Sequence, residues 1–167
     1  IDFRPVYNTY VDVVIEHLGG KSFRDTAEDE LIKRFLNTVR PSCWSKVKPE
    51  LKKDRIIFPD IVTWDSIHYQ YYKEYDFEYE SDRKVSQFCE GIAFGADDVL
   101  CGSIEMIMGL DTRNVDISRW YDLTTTNALN IKFYANGRID VKFKDSATAE
   151  SCFKRLRLNE IKLRDEN

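Results

Sequence analysis

The chain lacks the local motifs that mark most catalytic folds. It has no glycine-rich dinucleotide or phosphate loop, no G-x-S-x-G nucleophile turn and no H-E-x-x-H zinc helix. Its two histidines, His17 and His68, both lie in apolar or aromatic contexts. The acidic pair Asp97-Asp98 stands where a helix cap is expected. We therefore assign no catalytic residue, no metal ligand and no cofactor, and the sequence favours a role other than catalysis.

Paired cysteines and long apolar runs are missing as well. The four cysteines (Cys43, Cys89, Cys101 and Cys152) show no C-x-x-C spacing, which favours free thiols in a reducing compartment. No stretch approaches the ~18 apolar residues of a membrane span, and the N-terminus lacks a signal-peptide layout. These features predict a cytoplasmic protein without a membrane partner and leave its oligomeric state open. The first residue is Ile, which is compatible with an excised fragment of a longer protein.

Charge is distributed unevenly along the chain. Residues 60–122 carry 5 basic and 14 acidic side chains, whereas residues 123–167 carry 9 basic and 6 acidic ones. Residues 1–59 carry 11 basic and 9 acidic side chains. An acidic middle argues against nucleic acid wrapping the whole surface, but it leaves room for a local basic patch.

The length of 167 residues and the order of the patterns predict one α+β domain. We expect a helical N-terminal cluster, a small and mostly antiparallel sheet, and a C-terminal β-hairpin followed by a helix. Its possible sub-units are residues 1–54, which are helical, residues 55–122, which are acidic and mixed, and residues 123–167, which form the hairpin and helix.

Apolar spacing and breaker residues predict the elements before residue 123. A capping box of Thr26 and Asp29 should begin the second helix. The alternation of Tyr75, Phe77 and Tyr79 with acidic residues predicts an edge strand. The predicted helices cover residues 2–18, 25–39, 42–51, 81–94 and 97–110, and two further strands cover residues 55–58 and 61–64.

The most informative segment, residues 130–156, predicts a β-hairpin and then a helix. Its Asn136-Gly137 dipeptide favours a two-residue turn at first sight, but that register would mix charged and apolar side chains on both faces. A three-residue loop makes one face apolar and gives the other a cross-strand charge pair. We therefore predict the loop 135–137, with Gly137 in the left-handed conformation. The resulting pairs are Phe133 with Ile139, Ile131 with Val141, and Lys132 with Asp140.

The following stretch predicts a helix whose start is capped by Asp145-Ser146. Ala149, Cys152, Phe153 and Leu156 fall at the spacing of one helix face and should pack into the core.

The outer face of the hairpin is the first candidate binding surface. Basic side chains and one tyrosine alternate there with the core residues, and such a face can hold a nucleic-acid backbone. The alternative interpretation is an ordinary solvated strand face. The candidate nucleic-acid-binding residues are Lys132, Tyr134, Arg138, Lys142 and Lys144.

The acidic aromatic region from Tyr69 to Glu80 is the second candidate surface. Its tyrosines could stack on bases, but the neighbouring carboxylates would repel phosphate, so packing or a protein partner is favoured. A module for protein interaction is therefore the alternative function, and an enzyme of unrecognised type is the third. The candidate partner-binding residues are Tyr71, Tyr72, Tyr75 and Tyr79.

The hairpin segment resembles the C-terminal part of an uncharacterised domain family of bacteria and phages that is encoded on mobile elements. That part carries an asparagine, an I-K-x-F/Y-x-N-G hairpin, an x-x-F-K strand and a helix. Trp44 and the run Ile56 to Phe58 are also similar in order and spacing. The corresponding residues are Asn127 or Asn130, Ile131 to Tyr134, Asn136-Gly137 and Val141 to Lys144.

The sequence departs from the family pattern at residues 138–140, which read Arg-Ile-Asp in place of Asn-x-His. The family is often joined to, or neighbours, adenine-type DNA methyltransferase modules. The resemblance therefore implies a non-catalytic accessory domain linked to DNA modification, and it carries over no catalytic residues. Residues 141–156 are also similar to the third strand and second helix of RNA-recognition motifs, whose paired aromatic strand motifs are not visible here.

Overall fold

A computed structural model describes residues 22–40 and 47–163. The predicted helix 2–18 and the first half of the predicted helix 42–51 lie outside the described residues. The helices are α1 (Phe23–Val39), α2 (Ser66–Tyr72), α3 (Ser81–Asp97) and α4 (Ser146–Arg155), with 3-10 turns at Ile104–Met106 and Leu158–Glu160. The strands are β1 (Glu50–Lys52), β2 (Arg55–Phe58), β3 (Tyr121–Asp122), β4 (Ala128–Phe133) and β5 (Ile139–Phe143).

The five strands form one antiparallel sheet in the order β1-β2-β5-β4-β3. The hairpin strand β5 is central, so the first strands of the described chain join the sheet by pairing with its last strand. This arrangement confirms the predicted α+β class, the antiparallel sheet and the C-terminal hairpin followed by a helix.

The core lies between one face of the sheet and the helices. Side chains of alternate strand residues, such as Ile56, Phe58 and Val141, are completely buried and form one cluster with the apolar faces of α1, α3 and α4. Phe58 contacts Phe88 edge-on, with ring centroids 4.7 Å apart, and Phe35 of α1 packs against both rings. Each such buried aromatic ring contributes roughly 1.5–3 kcal/mol from burial alone.

The register of the hairpin is confirmed residue by residue. Phe133 pairs with Ile139 and Lys132 pairs with Asp140, and the loop is closed by the Tyr134 amide, which donates to the Arg138 carbonyl at 3.0 Å. Gly137 has φ +88°. Its carbonyl also accepts from the amides of Ile61 and Val62, so the loop is joined to the chain that leaves β2.

The helix after the hairpin is confirmed too. The Asp145 carboxylate accepts from the Thr148 amide at 2.7 Å and caps the helix start. Ala149, Cys152 and Leu156 are completely buried, and Phe153 is half-buried at the edge of the core.

The prediction of a helix over residues 97–110 is wrong. Helix α3 continues to Asp97 and ends at Asp98, whose φ is +61°. The chain beyond it is irregular except for the turn Ile104–Met106. Ile107 reaches the core as part of an isolated bridge to Leu123, so its apolar spacing reflects burial rather than helical structure.

Three other boundaries differ from the predictions. The capping box of α1 is formed by Ser22 and Asp25, one turn before the expected pair. Leu51, expected in a helix, lies in β1. Residues 61–64 contribute only an isolated bridge between Trp64 and Phe77. The predicted edge strand of Tyr75, Phe77 and Tyr79 is reduced to two isolated bridges, that one and a bridge between Tyr75 and Val115.

Candidate nucleic-acid interface

The outer face of the sheet carries a row of basic side chains that crosses three adjacent strands. Lys52 of β1 pairs with Arg55 of β2, and Arg55 pairs in turn with Lys142 of β5. Residues directly opposite each other in a sheet project from the same face. At about 4.8 Å per strand, the row extends over roughly 10 Å. We call Lys52, Arg55 and Lys142 the cationic row.

The row continues into polar residues on the remaining two strands. Lys142 lies opposite Asn130 of β4, which lies opposite Asp122 of β3. The Asn130 amide group donates to the Asp122 carboxylate at 2.6 Å. At this end of the row, the Asp122 carboxylate is therefore already bonded to its neighbour Asn130.

A concavity opens at the basic end of the row. Its volume is about 600 Å³, and it lies beside the two-residue turn between β1 and β2. We call it the basic cavity. Four cationic side chains, one carboxylate and one indole line it: Lys52, Lys53, Arg55, Lys142, Asp54 and Trp120.

The lysines of the basic cavity differ in how they are paired. Lys52 Nζ lies 3.8 Å from a Glu50 carboxylate oxygen, and both side chains are solvent-exposed, so this pair is worth at most ~1 kcal/mol. Lys53 and Lys142 are exposed, and no carboxylate among the described residues lies within ion-pair distance of either. Their charges are available to an anionic ligand.

Lys53 lies in a backbone conformation that favours glycine. Its φ is +55°, in the left-handed region, at the turn between β1 and β2. A non-glycine residue in this region costs roughly 1 kcal/mol. Residues that keep such strain are enriched at functional sites, and here the strained residue is one that lines the basic cavity.

Arg55 lies within ion-pair distance of a buried carboxylate. Its Nη1 lies 3.7 Å from Asp140 Oδ2, and the Asp140 side chain is completely buried. Asp140 also accepts from Arg138 through two bonds of 2.7 Å and from the Tyr134 hydroxyl at 3.1 Å. We call these contacts the Asp140 network. It connects Arg55 of the cationic row to the hairpin and satisfies a charge that would otherwise be unpaired inside the protein.

The predicted nucleic-acid residues therefore divide into separate groups. Arg138 and Tyr134 belong to the Asp140 network, and the bond to Asp140 raises the pKa of Arg138 above its ordinary value. Burial is the main cause of the raised pKa of Tyr134. Lys132 and Asp140 are strand partners, as predicted. Their side chains do not form the expected ion pair, because the Asp140 carboxylate binds Arg138 instead.

The three predicted lysines also lie in different places. Lys142 lines the basic cavity. Lys132 places its Nζ over the Tyr134 ring, 5.2 Å from the centroid. Lys144 lines another depression, beside the start of α4, together with Asn127 and Arg155. The structure thus brings only one of the five predicted residues into the basic cavity.

A second basic depression, of about 440 Å³, lies between α1 and the turn after α4. Lys33, Arg40, Arg157 and Lys162 line it together with Glu160. None of the described residues that line it is aromatic, and Arg157 is bonded to Asp29 at 3.0 Å. It offers a matched set of lysines for comparison with the basic cavity.

Sequence reasoning missed Lys52, Lys53, Arg55 and Trp120. The run Lys-Lys-Asp-Arg directly before the apolar residues Ile56 to Phe58 was a usable signal for a charged turn, but it was overlooked because a helix was predicted over residues 42–51. Trp120 comes from a connector more than 60 residues along the chain, and no local pattern could have placed it beside this turn.

The predicted partner-binding tyrosines lie past the opposite end of the sheet. Tyr71 and Tyr72 are exposed on α2, and Tyr79 follows in the loop before α3. Tyr75 is half-buried, because its ring contacts Trp64 at 5.3 Å and Tyr69 at 4.9 Å between centroids. Burial is the main cause of its raised pKa.

Within the part of the chain that the structure describes, no three His, Cys, Asp or Glu side chains are grouped so that they could hold a metal ion. Cys89 and Cys152 are free, buried thiols, and burial raises the pKa of each to about 12. Cys101 is free and exposed. None of the described helices has the length and apolar character needed to cross a bilayer.

Comparison with known proteins adds no relative to this description. No protein-family model, no curated protein and no solved structure matches the chain.

Proposed function

We propose that this domain binds the sugar-phosphate backbone of nucleic acid in the basic cavity and acts as a non-catalytic accessory domain. The observation that carries the proposal is the convergence of Lys52, Lys53, Arg55 and Lys142 on one concavity. The four side chains come from three adjacent strands and from the turn beside them. Clustered lysine and arginine side chains bind phosphates by charge and by releasing counterions.

The size of the cationic row supports a polymer rather than a single small anion. Its length of roughly 10 Å is several times the ~3.4 Å of axis that one nucleotide occupies along a strand of a duplex. Lys52 and Lys142 at its two ends can therefore contact different phosphates of the same strand.

Trp120 supports single-stranded nucleic acid as the preferred form. Its half-buried indole lines the same concavity as the four basic side chains. Stacking of one base on an aromatic side chain is worth about 1–3 kcal/mol and requires an unpaired base. Lysines that hold the backbone beside one stacking platform are typical of sequence-tolerant binding to single strands.

The cellular setting of the proposal rests on the hairpin pattern. The resemblance of residues 127–144 to the mobile-element family supports a bacterial or phage protein linked to DNA modification. In that setting the domain would hold DNA while a separate module performs the chemistry. The cationic row shares strand β5 with this hairpin.

The test is salt-dependent binding of fluorescently labelled oligothymidine and of a labelled duplex of the same length. We expect the affinity to fall with rising salt for the intact chain. The double variant Lys53→Gln/Lys142→Gln should reduce the slope of log affinity against log salt by about 1 for each lysine removed. Trp120→Leu should weaken the single strand more than the duplex.

The matched control is Lys33→Gln/Lys162→Gln, which removes two lysines from the second basic depression. It should leave the affinity and the salt slope nearly unchanged. An equal loss in both double variants would mean that binding is a diffuse charge effect. The absence of binding by the intact chain at low salt would refute the proposal.

A further inference from the structure

Helix α2 is held on a stem that fixes its position without burying it. The chain on its two sides pairs through an antiparallel bridge between Trp64 and Phe77, and the two rings stack 5.1 Å apart. The Asp65 amide donates to the Asp76 carbonyl, and the Glu78 amide donates to the Thr63 carbonyl. Trp64 Nε1 donates to the Tyr134 carbonyl at 3.0 Å, which joins the stem to the hairpin.

The sequence of α2 gives it defined ends. The Asp65 carboxylate accepts from the amides of Ile67 and His68 at 3.0 Å and caps its start. Lys73, with φ +58°, ends it. The helix spans seven residues, too few to be stable alone, so its position depends on these caps and on the stem.

The outward face of α2 is apolar. None of its side chains is buried, and Ile67, Tyr71 and Tyr72 are 68%, 74% and 66% exposed. Ile67 and Tyr71 are four residues apart and therefore neighbours on one helix face. Three large apolar side chains exposed together on an ordered helix are a mark of an interaction site.

Acidic residues are concentrated in the segment that contains α2. Residues 65–82 contain six carboxylates and a single basic residue, Lys73. Burial is the main cause of the raised pKa of Asp82, and the charge of the nearby Asp76 is the second cause. We call Ile67, Tyr71 and Tyr72, with the carboxylates Glu74, Asp76, Glu78, Glu80 and Asp82, the acidic aromatic surface.

The tyrosine beside the carboxylates is pre-oriented. The His68 ring packs on Tyr72 with centroids 4.8 Å apart. Its Nε2 lies 3.3 Å from Glu74 Oε2, and its Nδ1 lies 3.8 Å from Asp76 Oδ2. Side chains that are already held in place lose less conformational entropy when a partner binds.

We propose that the acidic aromatic surface docks a lysine- or arginine-rich segment of a protein partner that also carries apolar side chains. The charge argues for a basic occupant, because the carboxylates would repel both nucleic acid and anionic lipid. The exposed Ile67, Tyr71 and Tyr72 call for apolar groups in the same segment. Tyrosine is among the residues that most often dominate the energy of such interfaces.

The surface and the basic cavity lie at opposite ends of strand β2. The basic cavity adjoins Arg55, whereas Phe58 pairs with Ile139 beside the hairpin loop. The stem of α2 contacts that loop through Trp64. A partner on the acidic aromatic surface can therefore bind while nucleic acid occupies the basic cavity.

The test uses a labelled peptide in which lysine and leucine alternate, and the same peptide with glutamate in place of lysine. The intact protein should bind only the basic peptide. Tyr71→Ser/Tyr72→Ser should lower the affinity by about tenfold or more. Glu78→Gln/Glu80→Gln should lower both the affinity and its dependence on salt.

The matched control is Glu105→Gln/Met108→Ser, which removes one exposed carboxylate and one exposed apolar side chain elsewhere. It should bind the basic peptide like the intact protein. Binding that survives the Tyr71→Ser/Tyr72→Ser change, or is lost equally in the control, would overturn the proposal, as would no binding at all. Lys53→Gln/Lys142→Gln should not affect the peptide, which separates this test from the one for nucleic acid.

A second copy of the chain is the competing occupant, because its basic cavity has the complementary charge. Sedimentation velocity over a range of protein concentrations distinguishes the two. If two copies bound each other in this way, the association would be abolished by Tyr71→Ser/Tyr72→Ser and also by Lys53→Gln/Lys142→Gln. We expect the intact protein to show no such association. Such association would mean that the surface binds the basic cavity of another copy, and the proposal of a separate partner would fail.

Discussion

A turn with a residue in the left-handed conformation lies beside each end of strand β2. The β4–β5 hairpin loop and the β1–β2 turn use different residues at that position. At the hairpin end the residue is Gly137, with φ +88°, and a Cβ there would overlap the Val62 carbonyl oxygen. At the other end it is Lys53, with φ +55°, whose side chain lines the basic cavity. The hairpin loop thus has glycine where its backbone requires a positive φ. The β1–β2 turn has a charged residue in the same conformation, at the cost of backbone strain.

The two ends of β2 therefore contribute to different properties of the protein. The hairpin end is packed against the residues that lead to α2, so changes there should act on stability. The β1–β2 end faces solvent, so changes there should act on binding.

The largest effect is expected for Gly137→Ala. The new Cβ would be strained by the positive φ and would also clash with the Val62 carbonyl. We expect the free energy of unfolding to fall by about 3 kcal/mol, as measured by chemical denaturation. Gly109→Ala is the control, because Gly109 has φ +74° but a Cβ added there would lie 3.9 Å from its nearest neighbour, Arg119. It should lose only about 1 kcal/mol, and equal losses would show that packing on Val62 is unimportant.

The next effect is expected for Arg138→Gln. It removes both bonds of 2.7 Å to the buried Asp140 carboxylate and leaves Tyr134 and Arg55 as its partners. We expect a loss of about 2 kcal/mol in the free energy of unfolding, because a buried charge becomes poorly satisfied. The salt slope of oligothymidine binding should change little. A variant that folds normally but loses nucleic-acid binding would instead place Arg138 in the interface.

The Lys53→Gly change should have opposite effects on stability and on binding. Glycine relieves the left-handed strain, so we expect the free energy of unfolding to stay constant or to rise by up to ~1 kcal/mol. The affinity for oligothymidine should fall several-fold and the salt slope by about 1. Lys53→Gln serves as the control that removes the charge but keeps the strain. Destabilisation by glycine would contradict this account of the β1–β2 turn.

The smallest effect concerns pH. Burial, followed by the charge of Asp76, raises the pKa of Asp82, so Asp82 is protonated at a higher pH than an ordinary aspartate. Binding of the basic peptide should therefore weaken as the pH falls from neutral into the acidic range in which Asp82 becomes protonated.

Nucleic-acid binding in the basic cavity should not weaken over the same range, because lysine and arginine stay charged. The control is Asp82→Asn, which should flatten the response of peptide binding to pH. A parallel loss at both ends would point to a general change of the fold rather than to local charge.

The hairpin was predictable because its determinants are local. The alternation of residues 131–143, the three-residue loop and the Asp145 cap all act within a few residues of one another. The same holds for most of α1 and α3, whose apolar stripes face the core. Local consistency of this kind identifies an element without knowledge of its neighbours.

The basic cavity was not predictable because it is assembled from distant parts of the chain. Lys52 and Arg55 meet Lys142 only through the pairing of β2 with β5, and Trp120 comes from an irregular connector. The predicted helix over residues 97–110 failed for a related reason. Ile107 is buried where it joins a bridge to Leu123, whereas Val99 and Met108 of the same apolar pattern are exposed, so the helical spacing of the segment did not reflect one buried helix face.

The pairing of β2 with β5 has a consequence for folding during synthesis of the chain. Ile56 and Val141 are partners 85 residues apart in the chain, so β1 and β2 have no sheet to join until the C-terminal hairpin leaves the ribosome. At about 5–20 residues per second, that interval lasts roughly 4–17 s. During it, β2 presents an unpaired and apolar edge. The basic residues Lys52, Lys53 and Arg55 at the start of β2 would then oppose aggregation of this edge by their charge, before any ligand is bound.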